Sequence, residues 1–145
     1  MVAQKIRRFC AYQDRSTAEV REKLKKYQIP DDEIETLIVR LSDENFLNDE
    51  RFANNFVIGK LNAKGWGKHK IKYHLKLKGI ADEIIANALE NICEEDWENQ
   101  LQKKIDKWTK NNELSTNTYP KLVRFLTRNG FNLSDVMRKI KCANS

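Results

Sequence analysis

The sequence predicts an all-α protein of three tandem three-helix repeats that form an elongated, curved body. Five glycines and two prolines among 145 residues leave too few turns for an all-β sandwich or barrel. Apolar residues recur along the chain at a spacing of 51 residues, which indicates an internal triplication. The length and the 40% hydrophobic fraction favour a folded chain that needs no metal or disulfide to hold it.

The 51-residue spacing aligns five apolar positions in three copies. The aligned sets are Val20, Ile71 and Leu122; Leu24, Leu75 and Leu126; Ile29, Ile80 and Phe131; Ile34, Ile85 and Val136; and Ile38, Leu89 and Ile140. In each copy the first two positions are four residues apart and share one face of a helix, and the last two share one face of another. Between these helices stand Gln28, Gly79 and Gly130. Glycine there suits the left-handed end of a helix, so Gln28 departs from the pattern.

Capping residues mark where two of these helices begin. Ser16 and Glu19 form a predicted capping box, in which the hydroxyl and the carboxylate each accept a backbone N–H. Asn132 followed by Asp135 indicates a similar start near the C-terminus. Both signals agree with the helices that the apolar spacing predicts.

A third helix precedes each predicted pair. In the middle copy it begins at residues 48–50, where two acids favour a helix N-terminus, and in the last copy it runs from about residue 96 to 110. In the first copy only a brief apolar stripe, Ile6, Phe9 and Cys10, is present. The predicted repeats are residues 1–47, 48–93 and 94–145.

The chain shows no sign of export or of a membrane span. Its N-terminus lacks a signal-peptide apolar run, and nowhere do about 18 apolar residues follow one another. The three cysteines, Cys10, Cys93 and Cys142, are scattered and form no Cys-x-x-Cys pair. We interpret them as reduced core residues of a cytoplasmic protein.

Catalytic and cofactor motifs are also missing from the sequence. No phosphate-binding glycine loop, nucleophile elbow or zinc-protease motif is present. His69 and His74 are five residues apart and do not share a helix face as metal ligands would. The acids of 31–35 and 94–98 lie at predicted helix starts, where they favour the helix dipole. The sequence therefore predicts no catalytic residue, cofactor or metal, and no enzyme.

The basic segment Lys60 to Lys78 is the clearest candidate for a binding surface. It holds seven lysines and no acid: Lys60, Lys64, Lys68, Lys70, Lys72, Lys76 and Lys78. Residues 48–93 and 94–145 each carry an excess of three positive charges, whereas 1–47 is balanced. The lysines form either a surface for a polyanion or acidic protein, or a solvated helix face with Lys68, Lys72 and Lys76 on an exposed stripe.

Two further residues near this segment allow two interpretations each. Trp66 lies between Gly65 and Gly67, and its indole is either docked between helices or free at the surface. Arg51, at a predicted helix start, either braces the neighbouring repeat or touches a partner.

The chain resembles a known family over nearly its whole length. Leu47 to Ala53, followed by Gly65-Trp66-Gly67-Lys68 and by Leu75 to Ile80, is similar to the RecX regulatory proteins of bacteria. The stretch Arg15 to Leu24 looks like the first-repeat segment of that family. Three three-helix repeats are the architecture for which the family is known.

The resemblance implies a regulator that binds the RecA filament on single-stranded DNA, and we expect the protein to be a monomer. Such a protein modulates, mostly by inhibition, filament growth, ATP hydrolysis and strand exchange in homologous recombination, DNA repair and the SOS response, and it binds DNA more weakly on its own. The alternative is a general nucleic-acid-binding module acting through Lys60 to Lys78. The candidate partner-binding residues are Lys64, Trp66, Lys68, Lys70, Lys72, Lys76 and Arg51.

Overall fold

The computed structural model describes the backbone of residues 1–144 and the side chains of residues 1–141. Within that part of the chain all regular structure is helical, which confirms the all-α prediction. The helices are α1 (Val2–Tyr12), α2 (Thr17–Lys26), α3 (Asp31–Asp43), α4 (Asp49–Lys64), α5 (Lys68–Leu77), α6 (Asp82–Glu90), α7 (Glu94–Asn111), α8 (Tyr119–Arg128) and α9 (Leu133–Asn144). The helix predicted from about residue 96 is α7, which begins slightly earlier.

The apolar positions aligned by the 51-residue spacing form much of the core. Thirteen of the fifteen are buried, and the other two, Ile29 and Leu89, are half-buried. Each fully buried aliphatic side chain contributes about 1.5–3 kcal/mol relative to an exposed one. The predicted register is therefore confirmed by burial.

Backbone contacts divide the chain into two compact units. The first unit comprises residues 1–55 and 75–88, and α1, α2 and α3 supply a core that includes Ile6, Val20, Leu24, Ile34, Ile38 and Leu41. The second unit comprises residues 56–74 and the chain from Leu89 onward, and α7, α8 and α9 supply a core that includes Leu101, Ile105, Leu122, Leu126, Val136 and Ile140.

The helix starts agree with the predicted caps. The Glu19 backbone N–H donates to Ser16 Oγ at 3.2 Å, and the Ser16 N–H donates to Glu19 Oε1 at 3.1 Å, which confirms the capping box of α2. In the first turn of α9 the Ser134 N–H donates to Asn132 Oδ1 at 2.7 Å. These side chains satisfy backbone donors that have no partner within the helix.

The three residues predicted to end the first helix of each pair share one backbone conformation. Gln28, Gly79 and Gly130 have φ angles of 60°, 77° and 99°. Gln28 therefore differs from the two glycines in its side chain, but the turn has the same backbone conformation. A left-handed conformation costs a residue with a Cβ about 1–2 kcal/mol, so Gln28 is locally unfavourable where the two glycines are not.

Helix ends are hydrogen-bonded at equivalent positions in two places, 51 residues apart. In the first unit Ser16 Oγ, at the start of α2, donates to the Lys78 carbonyl at the end of α5 at 2.8 Å. In the second unit the Gly67 N–H, at the start of α5, donates to the Asn129 carbonyl at the end of α8 at 2.7 Å. The internal repetition of the sequence is thus also a repetition of tertiary contacts.

Glycine allows the close approach at both contacts. A Cβ on Gly79 would lie 2.5 Å from Ala18 Cβ, and a Cβ on Gly130 would lie 2.6 Å from Lys70 Cβ. Both distances are far below van der Waals contact, so any larger residue requires the helix ends to separate.

The prediction that the cysteines are core residues is wrong for Cys93. This residue is the N-cap of α7, so it lies on the apolar face of neither α6 nor α7, and its side chain is exposed. Cys10 is buried as predicted, and burial raises the pKa of its thiol although Arg15 and Arg51 oppose the shift. The side chain of Cys142 lies outside the described residues.

Candidate partner-binding surface

Two glycines shape the loop that carries Trp66 between α4 and α5. Gly65 has a φ of 64°, and a Cβ there would lie 2.9 Å from Lys104 Cε. A Cβ on Gly67 would lie 2.5 Å from the backbone of Gly130. The loop is therefore held close to two other segments of the second unit, and the Trp66 side chain is fixed between its glycine neighbours.

The Trp66 indole is docked and remains half-buried. Its ring packs on the His74 ring with centroids 4.6 Å apart and planes tilted by 31°. Two ammonium groups lie near the same indole, with Lys60 Nζ 5.1 Å and Lys70 Nζ 4.5 Å from the ring centroid. Such cation–π contacts contribute about 0.5–1 kcal/mol at exposed sites. The interpretation of a wholly free indole does not hold.

The lysines of the basic segment fall into two groups. Three make ion pairs within the chain: Lys68 with Glu94 at 2.6 Å, Lys76 with Asp82 at 3.7 Å and Lys78 with Glu19 at 3.6 Å. Among the described side chains, the other four have no carboxylate within ion-pair distance: Lys60, Lys64, Lys70 and Lys72. The uncompensated positive charge of the segment is thus concentrated on the second group.

The predicted exposed stripe is only partly as expected. Lys72 and Lys76 are exposed, whereas Lys68 is half-buried. Besides its ion pair, the Lys68 ammonium lies 5.6 Å from the centroid of the Trp97 ring. Lys68 is therefore engaged within the second unit, and Lys64, Lys70 and Lys72 are the freer lysines among the candidates.

Lys104 on α7 belongs to the same surface and was not among the sequence candidates. The pKa of Lys104 lies below its usual value, first because burial disfavours the charged amine and then because the positive charges of Lys107 and Lys70 are close. Lys104 is 38 residues from Trp66 in the sequence, so no local pattern brings the two together. Lys104 is brought to this surface by the packing of α7 beside the Gly65 turn, which the sequence pattern does not predict.

Arg51 at the start of α4 braces the preceding turn. Its guanidinium donates to the Asn45 carbonyl at 3.2 Å and to the Phe46 carbonyl at 3.3 Å, and it lies 3.8 Å from Asp14. The turn needs this support because Asn45 has a φ of 66°. The contacts correspond to the bracing interpretation; a partner contact by Arg51 stays a prediction.

The described residues contain no cluster of three or more histidine, cysteine or acidic side chains that would hold a metal ion. In the same part of the chain, no helix combines the length and the apolarity needed to cross a bilayer.

The fold and its two matching helix contacts define a protein built from tandem three-helix domains. Two family models match the chain: the first three-helix domain of RecX over residues 4–41 and the second over residues 48–89. Among similar proteins, the regulatory protein RecX of Acinetobacter baylyi is 32% identical over 126 residues, which are 86% of this chain and 77% of that protein. The chain belongs to the RecX family.

Other relatives agree with this assignment. The regulatory protein RecX of Bacillus subtilis is 33% identical over 141 residues, covering 94% of this chain and 53% of that protein. A RecX crystal structure from Lactobacillus salivarius matches with a TM-score of 0.82 at 25% identity, covering 96% of this chain and 92% of that one. Several relatives are longer, and the chain spans only 33% of a RecX protein from Lactococcus lactis.

Proposed function

We propose that the protein binds the RecA filament on single-stranded DNA and modulates it, mainly by inhibiting filament growth, ATP hydrolysis and strand exchange. It acts in the cytoplasm, as a monomer, without catalysis of its own, and residues 1–47, 48–93 and 94–145 are its three repeats. Membership of the RecX family supports this role. The observation that supports a site for it is the group of lysines without acidic partners, Lys60, Lys64, Lys70 and Lys72.

Unpaired ammonium groups suit this partner because the phosphates of its single-stranded DNA are anionic. Attraction between opposite charges acts over about a Debye length and raises the rate of encounter. The same lysines also support the second candidate function, a general nucleic-acid-binding module that uses Lys60 to Lys78 on phosphates. The two functions differ in whether RecA is needed for binding.

The decisive experiment measures ATP hydrolysis by the cognate RecA on single-stranded DNA with increasing amounts of the protein. A regulator of the filament lowers hydrolysis at well below one copy per RecA. A general DNA-binding module has no effect until the DNA itself is saturated, and that result would replace the first proposal with the second.

A matched pair of variants assigns the effect to the surface. Lys64→Gln with Lys72→Gln removes two exposed, unpaired lysines and is expected to weaken inhibition. Arg8→Gln with Lys121→Gln removes the same charge at exposed positions elsewhere in the chain and is expected to inhibit like the unaltered protein.

A further inference from the structure

A cleft lies in the second unit between α7 and α9. Both helices pack on α8, and the space left between them has a volume of about 580 Å³. Its lining comes from the start of α5, the first half of α7 and residues 130–139. The volume falls within the range of about 300–1,000 Å³ that is usual for small-molecule sites. The cleft is thus large enough to hold an organic ligand.

The apolar part of the lining includes a buried hydrogen-bond donor that has no partner. Trp97, Leu101 and Phe131 line the cleft and are 5%, 2% and 7% exposed. Trp97 Nε1 is the one buried polar side-chain atom without a hydrogen bond in the part of the chain that the structure describes. An indole N–H shielded from water without an acceptor has a desolvation cost, which an acceptor supplied by a ligand would offset.

The first unit has an equivalent cleft with a different lining. It lies between α1 and α3 and has a smaller volume of about 380 Å³. Positions 102 residues apart line both clefts: Ile29 corresponds to Phe131, and Leu37 corresponds to Lys139. The three-helix fold therefore makes the cleft without requiring a lysine in it. The positive charge of Lys139 is particular to the cleft of the second unit.

The charged residues of this lining leave one cation free on a half-buried side chain. Four of them neutralise one another in two ion pairs: Lys68 with Glu94 at 2.6 Å, and Arg138 with Asp135. Among the side chains that are described, Lys139 and Glu98 line the cleft without an ion pair. Lys139 is half-buried and Glu98 is exposed, so water screens the negative charge more strongly than the positive one.

Helix starts add to the positive potential of the cleft. Lys68 begins α5, Glu94 begins α7 and Asn132 precedes α9, and all three residues line the cleft. Cys93, the N-cap of α7, makes no side-chain hydrogen bond to the first turn. Backbone N–H groups and the helix dipole at such a start favour an anion.

We propose that this cleft, the α7/α9 cleft, binds a small organic anion that has an apolar body. The apolar body lies against Trp97, Leu101 and Phe131, and the anionic group lies near Lys139 and the helix starts. A neutral apolar compound gains the same burial but no charge contact, and an organic cation is repelled by Lys139. The inference goes beyond the proposed function, because it assigns the chain a small-molecule ligand and is tested without RecA or nucleic acid.

The experiment compares two fluorescent probes that share the same aromatic rings. Anilinonaphthalene sulfonate carries an anionic group, and phenylnaphthylamine lacks it. Titration of the whole chain, followed by probe emission, is expected to show one sulfonate probe per chain, bound at least about five-fold more tightly than the neutral probe, because charge-assisted contacts are stronger than neutral ones. Equal affinity for the two probes, or binding of several sulfonate probes per chain with similar affinity, would overturn the inference.

A matched pair of lysines on α9 tests the charge contact. Lys139→Gln is expected to weaken binding of the sulfonate probe at least about three-fold and to leave the neutral probe unchanged. Lys141→Gln removes the same charge from an exposed position of the same helix that does not line the cleft, and it is expected to change neither. Equal weakening by both variants would show that the probe responds to net charge and would refute a site at Lys139.

The indole N–H signals of the three tryptophans locate the probe. In nitrogen–proton correlation spectra, the signal of Trp97, identified by its loss in Trp97→Phe, is expected to move as the sulfonate probe is added. The signals of Trp66 and Trp108, neither of which lines the cleft, are expected to stay in place. An unmoved Trp97 signal at saturating probe would place the probe elsewhere and overturn the inference.

Discussion

At Gln28 the backbone conformation that the fold requires differs from the one that a residue with a Cβ prefers. The turn after α2 requires a left-handed residue, and Gln28 adopts it with a φ of 60° where Gly79 and Gly130 do so freely. Replacing Gln28 by glycine removes the steric penalty but adds flexibility to the unfolded chain. The first effect is larger, so Gln28→Gly is expected to raise the free energy of unfolding by about 0.5–1 kcal/mol.

Urea denaturation followed by circular dichroism measures this change. The matched control is Gln13→Gly, because Gln13 ends α1 with an extended φ of −159° that every residue adopts. That variant is expected to be no more stable than the unaltered protein. If both substitutions raised the free energy of unfolding equally, the left-handed turn would not be the cause of the stabilisation.

The pair of Arg7 and Glu44 makes stability depend on pH. Two hydrogen bonds of 2.9 Å from the Arg7 guanidinium hold the pKa of Glu44 below its usual value. The folded state thus binds this proton more weakly than the unfolded state, whose glutamate titrates near about 4.3. The contribution of the pair is present above that pH and is lost as the pH falls through the lowered pKa.

Removing the partner is expected to return Glu44 to ordinary titration. In Arg7→Gln the Glu44 pKa, followed by the NMR shift of its side-chain carboxyl carbon, rises toward about 4.3. Arg21→Gln serves as the control, since Arg21 pairs with Glu35 instead. A Glu44 pKa that moves equally in both variants would show that general charge, and not the hydrogen bonds, lowers it.

The packing of helix ends depends on glycine at the end of α5. Gly79 combines a positive φ with an approach that places its missing Cβ 2.5 Å from Ala18 Cβ. Gly79→Ala is therefore expected to lower the free energy of unfolding by about 2 kcal/mol or more, from the turn penalty and from overpacking. Gly59→Ala is the control: Gly59 lies within α4 with no atom near its missing Cβ, so the change is expected to add about 0.5–1 kcal/mol. Chemical denaturation of both variants measures the two changes. If both variants were destabilised, or both stabilised, the explanation would be refuted.

The contact between helix ends is made by Ser16 with Lys78 and by Gly67 with Asn129. The equivalent residues at the start of α8 lack the free backbone donors for a third such contact. In the second unit the contact has another hydrogen bond, from the His69 N–H to the Gly130 carbonyl at 3.0 Å, and position 120 lies 51 residues after His69. Pro120 has no N–H to donate. Thr118, in the place of Gly67, already donates its N–H to the Ser115 carbonyl at 3.0 Å. Any further three-helix unit packed at this end has to use other contacts.

Across the molecule, the sequence predicts helices and core far better than it predicts the surface. Burial follows an apolar period that can be read within a few turns, so Leu24, Leu75 and Leu126 are assigned correctly. Ion pairing depends on side chains brought together by loops. Lys68 and Lys70 look alike in the sequence, yet only Lys68 meets a carboxylate, and that carboxylate is 26 residues away. The two lysine groups are thus a property of the folded chain.

These two lysine groups allow local contact to be separated from net charge. Lys60→Gln with Lys70→Gln and Lys68→Gln with Lys76→Gln each lower the net charge of +6 by two. Long-range attraction of a polyanion therefore weakens equally in both. The first pair removes ammonium groups that have no acidic partner, whereas the second breaks surface ion pairs worth about 0–1 kcal/mol and leaves Glu94 and Asp82 unneutralised.

We expect the Lys60 and Lys70 variant to lose more single-strand affinity than the Lys68 and Lys76 variant at high salt, where long-range attraction is screened and only direct contacts persist. Anisotropy titrations at low and at high salt measure the difference. Equal losses at both salt concentrations would mean that the protein senses only the total charge of the chain, and the distinction between paired and unpaired lysines would then have no bearing on binding.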